Sequence, residues 1–144
     1  MIGIAEIDRG TALAKAATDF VGCPFRLHGR EPATGLDCVG LVVAALAATG
    51  ASPHAPTGYS LRNLSVDHWL PFVASSGLLP SPGLIRAGDV LLISLKHCQH
   101  HLAIAANGTN VIHAHAGLRK VVVQPLESTW RVCAKWRAAP LSES

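Results

Sequence analysis

Five short runs rich in β-branched and aliphatic residues occupy the second half of the chain, and they constrain its fold more than any other feature. Runs of six to ten such residues, separated by segments with glycine, asparagine or proline, are typical of β-strands joined by tight turns. The runs are GDVLLISL (88–95), HLAIAA (101–106), NVIHAHA (110–116), KVVVQPL (120–126) and TWRVCAKWRA (129–138). We therefore predict an antiparallel sheet of about five strands.

The first half has a helical pattern instead. Residues 10–22 repeat apolar side chains at helical spacing and end at a glycine, which predicts one helix. A second helix is predicted from Cys38 to Thr49, with Asp37 as its N-cap and Gly50 at its end. This second segment is apolar on almost every side, so we expect a buried central helix. Helices first and an antiparallel sheet afterwards make an α+β fold.

Two further segments are assigned by their breaker residues. Residues 23–35 combine prolines, glycines and charged side chains, which predicts an irregular loop. Residues 65–77 read as a short helix interrupted by Pro71.

Composition limits the classes of protein that fit. With 144 residues, 49% hydrophobic and 15% charged, we expect a single domain over residues 1–144 with a compact core. The net charge of +3 comes from scattered Lys and Arg, so no nucleic-acid partner is predicted. The chain has neither a signal-peptide pattern at its start nor an apolar run of roughly 18 to 20 residues, so we expect no membrane partner and synthesis in the cytoplasm.

Cys38 is the first candidate for chemistry. A cysteine at the first turn of a helix lies near unpaired N–H groups and the positive end of the helix dipole, which favour the thiolate and lower the thiol pKa. A thiolate beside an imidazole is the arrangement that a cysteine hydrolase requires. The alternative is a buried packing residue, and Cys38 considered alone leaves that alternative open. Cys23 and Cys133 are predicted to be packing residues.

A hairpin with three histidines supplies the candidate bases. A three-residue loop at 107–109 would pair residues of equal parity, so His101, His113 and His115 would share one face of the sheet. One ring could then act as general base, and a second could hold it in the required tautomer by a hydrogen bond. Strand alternation does not distinguish His113 from His115 as the orienting ring.

Four motifs together resemble the NlpC-type cell-wall cysteine peptidases, a papain-like superfamily. LDCVGLV, RAGDVLLI, HLAIA and VIHA occur in the family's order and spacing, and the resemblance covers roughly residues 10 to 137. It implies the papain-like NlpC-type fold, with Cys38 as nucleophile, His101 as base and His113 as orienting residue. The implied reaction is hydrolysis of an amide bond in peptidoglycan peptide stems, typically between D-glutamate and a diamino acid, without a cofactor or metal.

Finer features of the resemblance concern the cleft and the biological setting. The backbone N–H of Cys38 would contribute to an oxyanion hole at the helix start that Asp37 caps. Many family members have a tyrosine where this chain has Phe25, and Arg26, His28 and His115 are further cleft candidates. The PFR, HAGLRKVVVQPL and WRVCAKWRA segments resemble the branch found in phage tails and gene-transfer particles, whose proteins are possible partners.

Two other hypotheses remain. KHCQHH (96–101) with His113 and His115 resembles a zinc cluster, although the extended strand would direct neighbouring side chains to opposite faces. In that hypothesis the chain is a zinc-binding adaptor. If no zinc is bound there, His97 and His100 are expected to be exposed loop residues. The other hypothesis is a tail structural or wall-binding module that keeps the fold but cuts weakly or not at all.

Overall fold

A computed structural model describes residues 9–51, 53, 73, 75–95 and 99–139. Helix α1 spans Arg9–Asp19 and helix α2 spans Cys38–Ala48, both as predicted within a few residues. Gly50, just after α2, has a φ of 94°, a conformation that glycine adopts without strain. Most of the helix predicted at 65–77 lies outside the described residues, although Val73 and Ser75 are helical.

Six of the described strands form one antiparallel sheet. The five predicted strands are confirmed. The strands of this sheet are β3 (Leu78–Pro80), β4 (Val90–Ser94), β5 (His100–Ala105), β6 (Asn110–His115), β7 (Lys120–Pro125) and β8 (Arg131–Ala138). Their order across the sheet is β3-β8-β4-β5-β6-β7.

Strand β3 was not predicted. It is three residues long, lies at the sheet edge against β8 and ends at Pro80. A proline lacks the N–H that an interior strand needs, so an edge position is where such a strand fits. The predicted irregular loop 23–35 also contains a two-residue strand, β1 (Arg30–Glu31), which pairs with β2 (Gly35–Leu36).

Helix α2 is the centre of the core, as its all-round apolar pattern predicted. It contacts α1 on one side and strands β5 and β6 on the other. The sheet residues beneath it include Leu102, Ile104 and Ile112, which have no exposed surface. Burial of such side chains contributes roughly 1.5 to 3 kcal/mol each, so the position of α2 over the sheet is strongly held.

The hairpin between β5 and β6 has the register that the sequence predicted. The N–H of Ala106 donates to the carbonyl of Asn110 (2.9 Å), which closes the three-residue loop 107–109. Ile104 pairs with Ile112, so His101, His113 and His115 belong to the face opposite the core.

Within the described part of the chain, no helix is long and apolar enough to cross a bilayer.

Candidate active site

The cleft that holds the candidate residues opens where β5 and β6 separate. These strands share only two paired positions, Ile104 with Ile112 and Ala105 with Val111. By contrast, β6 and β7 pair along six positions. The strands therefore part toward His101 and His113, and a cleft of about 300 Å³ extends from there to Cys38.

Cys38 reaches this gap from the start of α2. The backbone N–H groups of Leu102, Val39 and Cys38 itself lie close enough to its sulfur to favour the thiolate. Leu102 follows His101 directly on β5, so its contact with the sulfur places the thiol beside that strand. The thiol thus lies at the floor of the cleft, between the helix mouth and the parted strands.

The protonation of Cys38 differs from the sequence expectation. Its side chain is 0% exposed, and this burial raises the pKa of the Cys38 thiol to about 12, although the three N–H groups act to lower it. The negative charge of Asp37 raises the pKa further. The predicted lowering was wrong because desolvation of a thiolate outweighs the helix terminus here.

Asp37 holds the start of α2. Its Oδ1 accepts from the N–H of Gly40 (2.8 Å), which confirms the predicted N-cap. The carboxylate also accepts from the N–H of His28 (2.8 Å) and from the guanidinium of Arg30 (3.1 Å). These bonds fix the helix mouth that carries Cys38 against the preceding loop.

His101 and His113 are in direct contact. Nε2 of His101 lies 2.9 Å from Nδ1 of His113, and the ring planes meet at 84°. Trp130 and His113 also pack edge to face, with their ring centres 5.4 Å apart and their ring planes at 88°. His113 is 3% exposed and His101 is half-buried, so both rings are confined by their surroundings.

Burial keeps both rings neutral. It lowers the pKa of His101 to about 3, with His113 and His115 contributing in the same direction. It also lowers the pKa of His113, although the bond to Gln124 opposes this. The resting site therefore holds a neutral thiol and neutral imidazoles, not the thiolate–imidazolium pair that we expected from the sequence.

The hydrogen-bond geometry favours His113 over His115 as the orienting ring. His115 is half-buried, its ring centre lies 5.4 Å from that of His113, and its Nδ1 accepts from the N–H of Leu118 (3.0 Å). The described hydrogen bond of His115 is therefore to its own turn, whereas His113 makes one of its two hydrogen bonds to His101.

The cleft candidates divide into two pairs. Phe25 and His115 line the cleft, whereas the exposed Arg26 and His28 do not belong to its lining. His28 instead contributes its backbone N–H to Asp37. The remaining lining residues are Leu95, Gln99, His100, Ala114, Ala116, Gly117 and Trp130.

Two sequence interpretations need correction, and one important residue was missed. His100 is not a loop residue, because it begins β5, is half-buried and lines the cleft. Cys133 is exposed, because alternation along the strand directs it away from the core. Gln124 was not singled out, since a glutamine in a strand resembles any surface polar residue, yet its Oε1 lies 2.7 Å from Nε2 of His113.

The zinc hypothesis gains no support from the described residues. Among residues 9–51, 53, 73, 75–95 and 99–139, no three His, Cys, Asp or Glu side chains are grouped as metal ligands. His97 and Cys98 of the hypothetical cluster lie outside the described residues.

Solved structures with the same fold include three of interest. The chain is 24% identical to the NlpC/p60 domain of the peptidoglycan hydrolase SagA, with a TM-score of 0.59, covering 90% of this chain and 98% of that one. NlpC2 from Trichomonas vaginalis is 18% identical, with a TM-score of 0.66 and coverage of 92% and 46%. A lipoprotein-like NLP/P60 protein from Staphylococcus aureus is 19% identical, with a TM-score of 0.60 and coverage of 90% and 41%.

The chain thus spans nearly all of the first of these structures and less than half the length of the other two. No curated protein sequence matched the chain. The model of the NlpC/P60 family matches residues 22–135, which include Cys38, His101 and His113. This match covers well over half of the chain, and the chain belongs to the NlpC/P60 family.

Proposed function

We propose that the chain is a cysteine-dependent peptidoglycan endopeptidase. The observation that carries the proposal is the meeting of Cys38, at the mouth of α2, and the hydrogen-bonded His101–His113 pair in one cleft. Nucleophile, base and orienting group within one cleft are the components of acyl transfer. Cys38 and His101 are the proposed catalytic residues, and His113 is a positioning residue.

The proposed reaction begins with proton transfer from the sulfur of Cys38 to Nδ1 of His101. Because both groups rest in their neutral forms, this transfer accompanies attack of the sulfur on the substrate carbonyl carbon. The backbone N–H of Cys38 donates to the oxygen on which negative charge develops. The C–N bond then breaks, and His101 returns the proton to the departing amine.

Water completes the cycle. His101 takes a proton from a water molecule, whose oxygen attacks the thioester carbon. The C–S bond breaks, a carboxylic acid leaves and Cys38 recovers its proton. The net change is one amide and one water converted to one acid and one amine.

The proposed substrate is a peptide stem of peptidoglycan, cut between D-glutamate and the diamino acid. Family membership supports this choice, as does the resemblance to SagA, which is described as a peptidoglycan hydrolase. The lining also supports it, since Phe25, Trp130 and His115 offer both apolar contact and hydrogen bonds to an extended peptide. We further propose that the chain is made in the cytoplasm and reaches the wall as part of a phage tail or gene-transfer particle. This proposal is supported by the PFR, HAGLRKVVVQPL and WRVCAKWRA segments, which resemble that branch of the family.

Mass spectrometry of peptidoglycan digests tests the proposal. Purified walls of several stem chemistries are incubated with the native chain, and the soluble fragments are sequenced. We expect paired products, one ending in a D-glutamate carboxyl group and one beginning with a free diamino acid amine. An absence of new fragments from every wall type would overturn the proposed activity.

A wall-binding module of the same fold is the second candidate. It is favoured by two observations: Cys38 has no exposed surface, so substrate attack requires lining side chains to move aside, and Phe25 has no hydroxyl to offer the cleft. Co-sedimentation with insoluble peptidoglycan separates the candidates. Binding without release of fragments supports the module, whereas release supports the endopeptidase.

A further inference from the structure

Gln124 is tied to the proposed catalytic residues through a chain of two hydrogen bonds. It lies on β7, where it pairs with Val111, and so shares a face with His113 two residues further along β6. Its Oε1 is 2.7 Å from Nε2 of His113, whose Nδ1 is 2.9 Å from Nε2 of His101. Gln124 is half-buried and does not line the cleft, so it acts on the site only through His113.

The donor and the acceptor in each of these two hydrogen bonds follow from the chemistry of the Gln124 amide oxygen. An amide oxygen is only an acceptor, so Nε2 of His113 must carry a proton. A neutral imidazole has one N–H, which leaves Nδ1 of His113 as an acceptor. Nε2 of His101 must then donate to it, and Nδ1 of His101 keeps a free lone pair.

We infer that Gln124 is a positioning residue that selects the tautomer in which His101 can accept a proton from Cys38. The inference rests on the function proposed above, because it assigns Gln124 a part in that reaction. It makes the site a relay of four groups, in which the outermost residue never touches the substrate.

The reverse orientation of the amide shows why the choice has a consequence. If the amide nitrogen faced His113, its N–H would donate to Nε2, and the His113 proton would move to Nδ1. His101 would then accept at Nε2 and carry its proton on Nδ1, where no lone pair remains for the thiol proton. The orientation of the Gln124 amide therefore decides whether His101 can accept the proton of Cys38.

Nitrogen NMR of the histidine rings tests the inference without any substrate. In the native chain near neutral pH, we expect His101 and His113 both to be protonated on Nε2. Gln124→Met keeps a side chain of similar length but removes the acceptor, so we expect the His113 ring to become a mixture of tautomers. Val123→Thr is the matched control, since Val123 is exposed and adjacent on β7.

Kinetics supply the second readout. If walls are cleaved, Gln124→Met should lower kcat on the order of tenfold with a smaller change in KM, while Val123→Thr should change neither. Protonation of His113 on Nδ1 in the native chain, or unchanged ring spectra in folded Gln124→Met, would overturn the inference. A native chain that cleaves no wall would instead count against the proposed function, and the ring spectra would still test Gln124.

Discussion

Nε2 of His101 and Nδ1 of His113 lie 2.9 Å apart at the place where β5 and β6 cease to pair. A side-chain hydrogen bond therefore spans the gap that the backbone ladder leaves open. Through the same gap the Leu102 N–H reaches the sulfur of Cys38, which comes from the helix side of the sheet. The parted strands thus explain how groups from opposite faces meet in one cleft.

Alkylation of Cys38 should depend steeply on pH. Because the thiolate is the reactive form and burial raises the pKa of the Cys38 thiol to about 12, the iodoacetamide rate should be low at neutral pH and rise throughout the alkaline range. Peptide mapping by mass spectrometry resolves Cys38 from the exposed Cys133, which serves as an internal reference. Rapid labelling of Cys38 that levels off below about pH 8 would show an activated thiolate instead.

Asp37→Asn should make the Cys38 thiol more acidic. The substitution keeps an oxygen that can cap Gly40 but removes the negative charge that raises the pKa of Cys38. The alkylation profile should therefore move to lower pH. An unchanged profile would show that the carboxylate charge does not reach the sulfur.

Asp37→Ala is the companion variant, because it removes the cap as well as the charge. Loss of an N-cap costs about 0.5 to 2 kcal/mol, and Arg30 also loses its partner. Urea denaturation should show a lower free energy of unfolding for Asp37→Ala than for Asp37→Asn. Equal stabilities would indicate that the cap contributes little to α2.

Replacement of His113 by phenylalanine should reduce turnover without abolishing substrate binding. The phenyl ring preserves the edge-to-face contact with Trp130 but cannot accept the hydrogen bond from His101. We expect kcat for wall cleavage to fall on the order of a hundredfold, with a modest change in KM. An effect confined to KM would instead assign His113 to substrate binding.

Acidification should destabilise the chain through its buried histidines. The pKa of His101 is about 3 in the folded chain and 6.5 in its ordinary state, so between these values only the unfolded chain binds the proton. The free energy of unfolding should therefore fall as pH decreases from 6.5 toward 3, by up to about 1.4 kcal/mol per pH unit. His101→Asn, which removes this titrating group, should give a shallower decline in denaturation experiments across that range. Parallel declines would show that His101 is not the group responsible.

The parts of the fold that could be predicted are those set by local sequence. The alternation of side chains and the turn residues located five strands. The three-residue loop at 107–109 pairs odd-numbered residues of β5 with odd-numbered residues of β6, which places His101 and His113 on the same face of the sheet. Asp37 was found as a cap because its side chain bonds to an N–H only three residues away.

The remaining features depend on tertiary arrangement. Strand β3 is too short to show a period, and its pairing with β8 comes from a segment more than 50 residues away. The raised pKa of Cys38 reflects how completely neighbouring elements cover it, whereas the sequence revealed only the helix terminus. Gln124 gains its importance from the diagonal contact with His113, which requires the register of β6 and β7.

The most direct test of the account is the release of amine-bearing fragments from peptidoglycan by three matched proteins. The native chain and Cys133→Ala, which alters only an exposed cysteine, should release them at similar rates. Cys38→Ala should release none, because the described lining of the cleft holds no other thiol and no hydroxyl group to attack the carbonyl carbon. Release by Cys38→Ala at the native rate would contradict the assignment of this sulfur as the nucleophile.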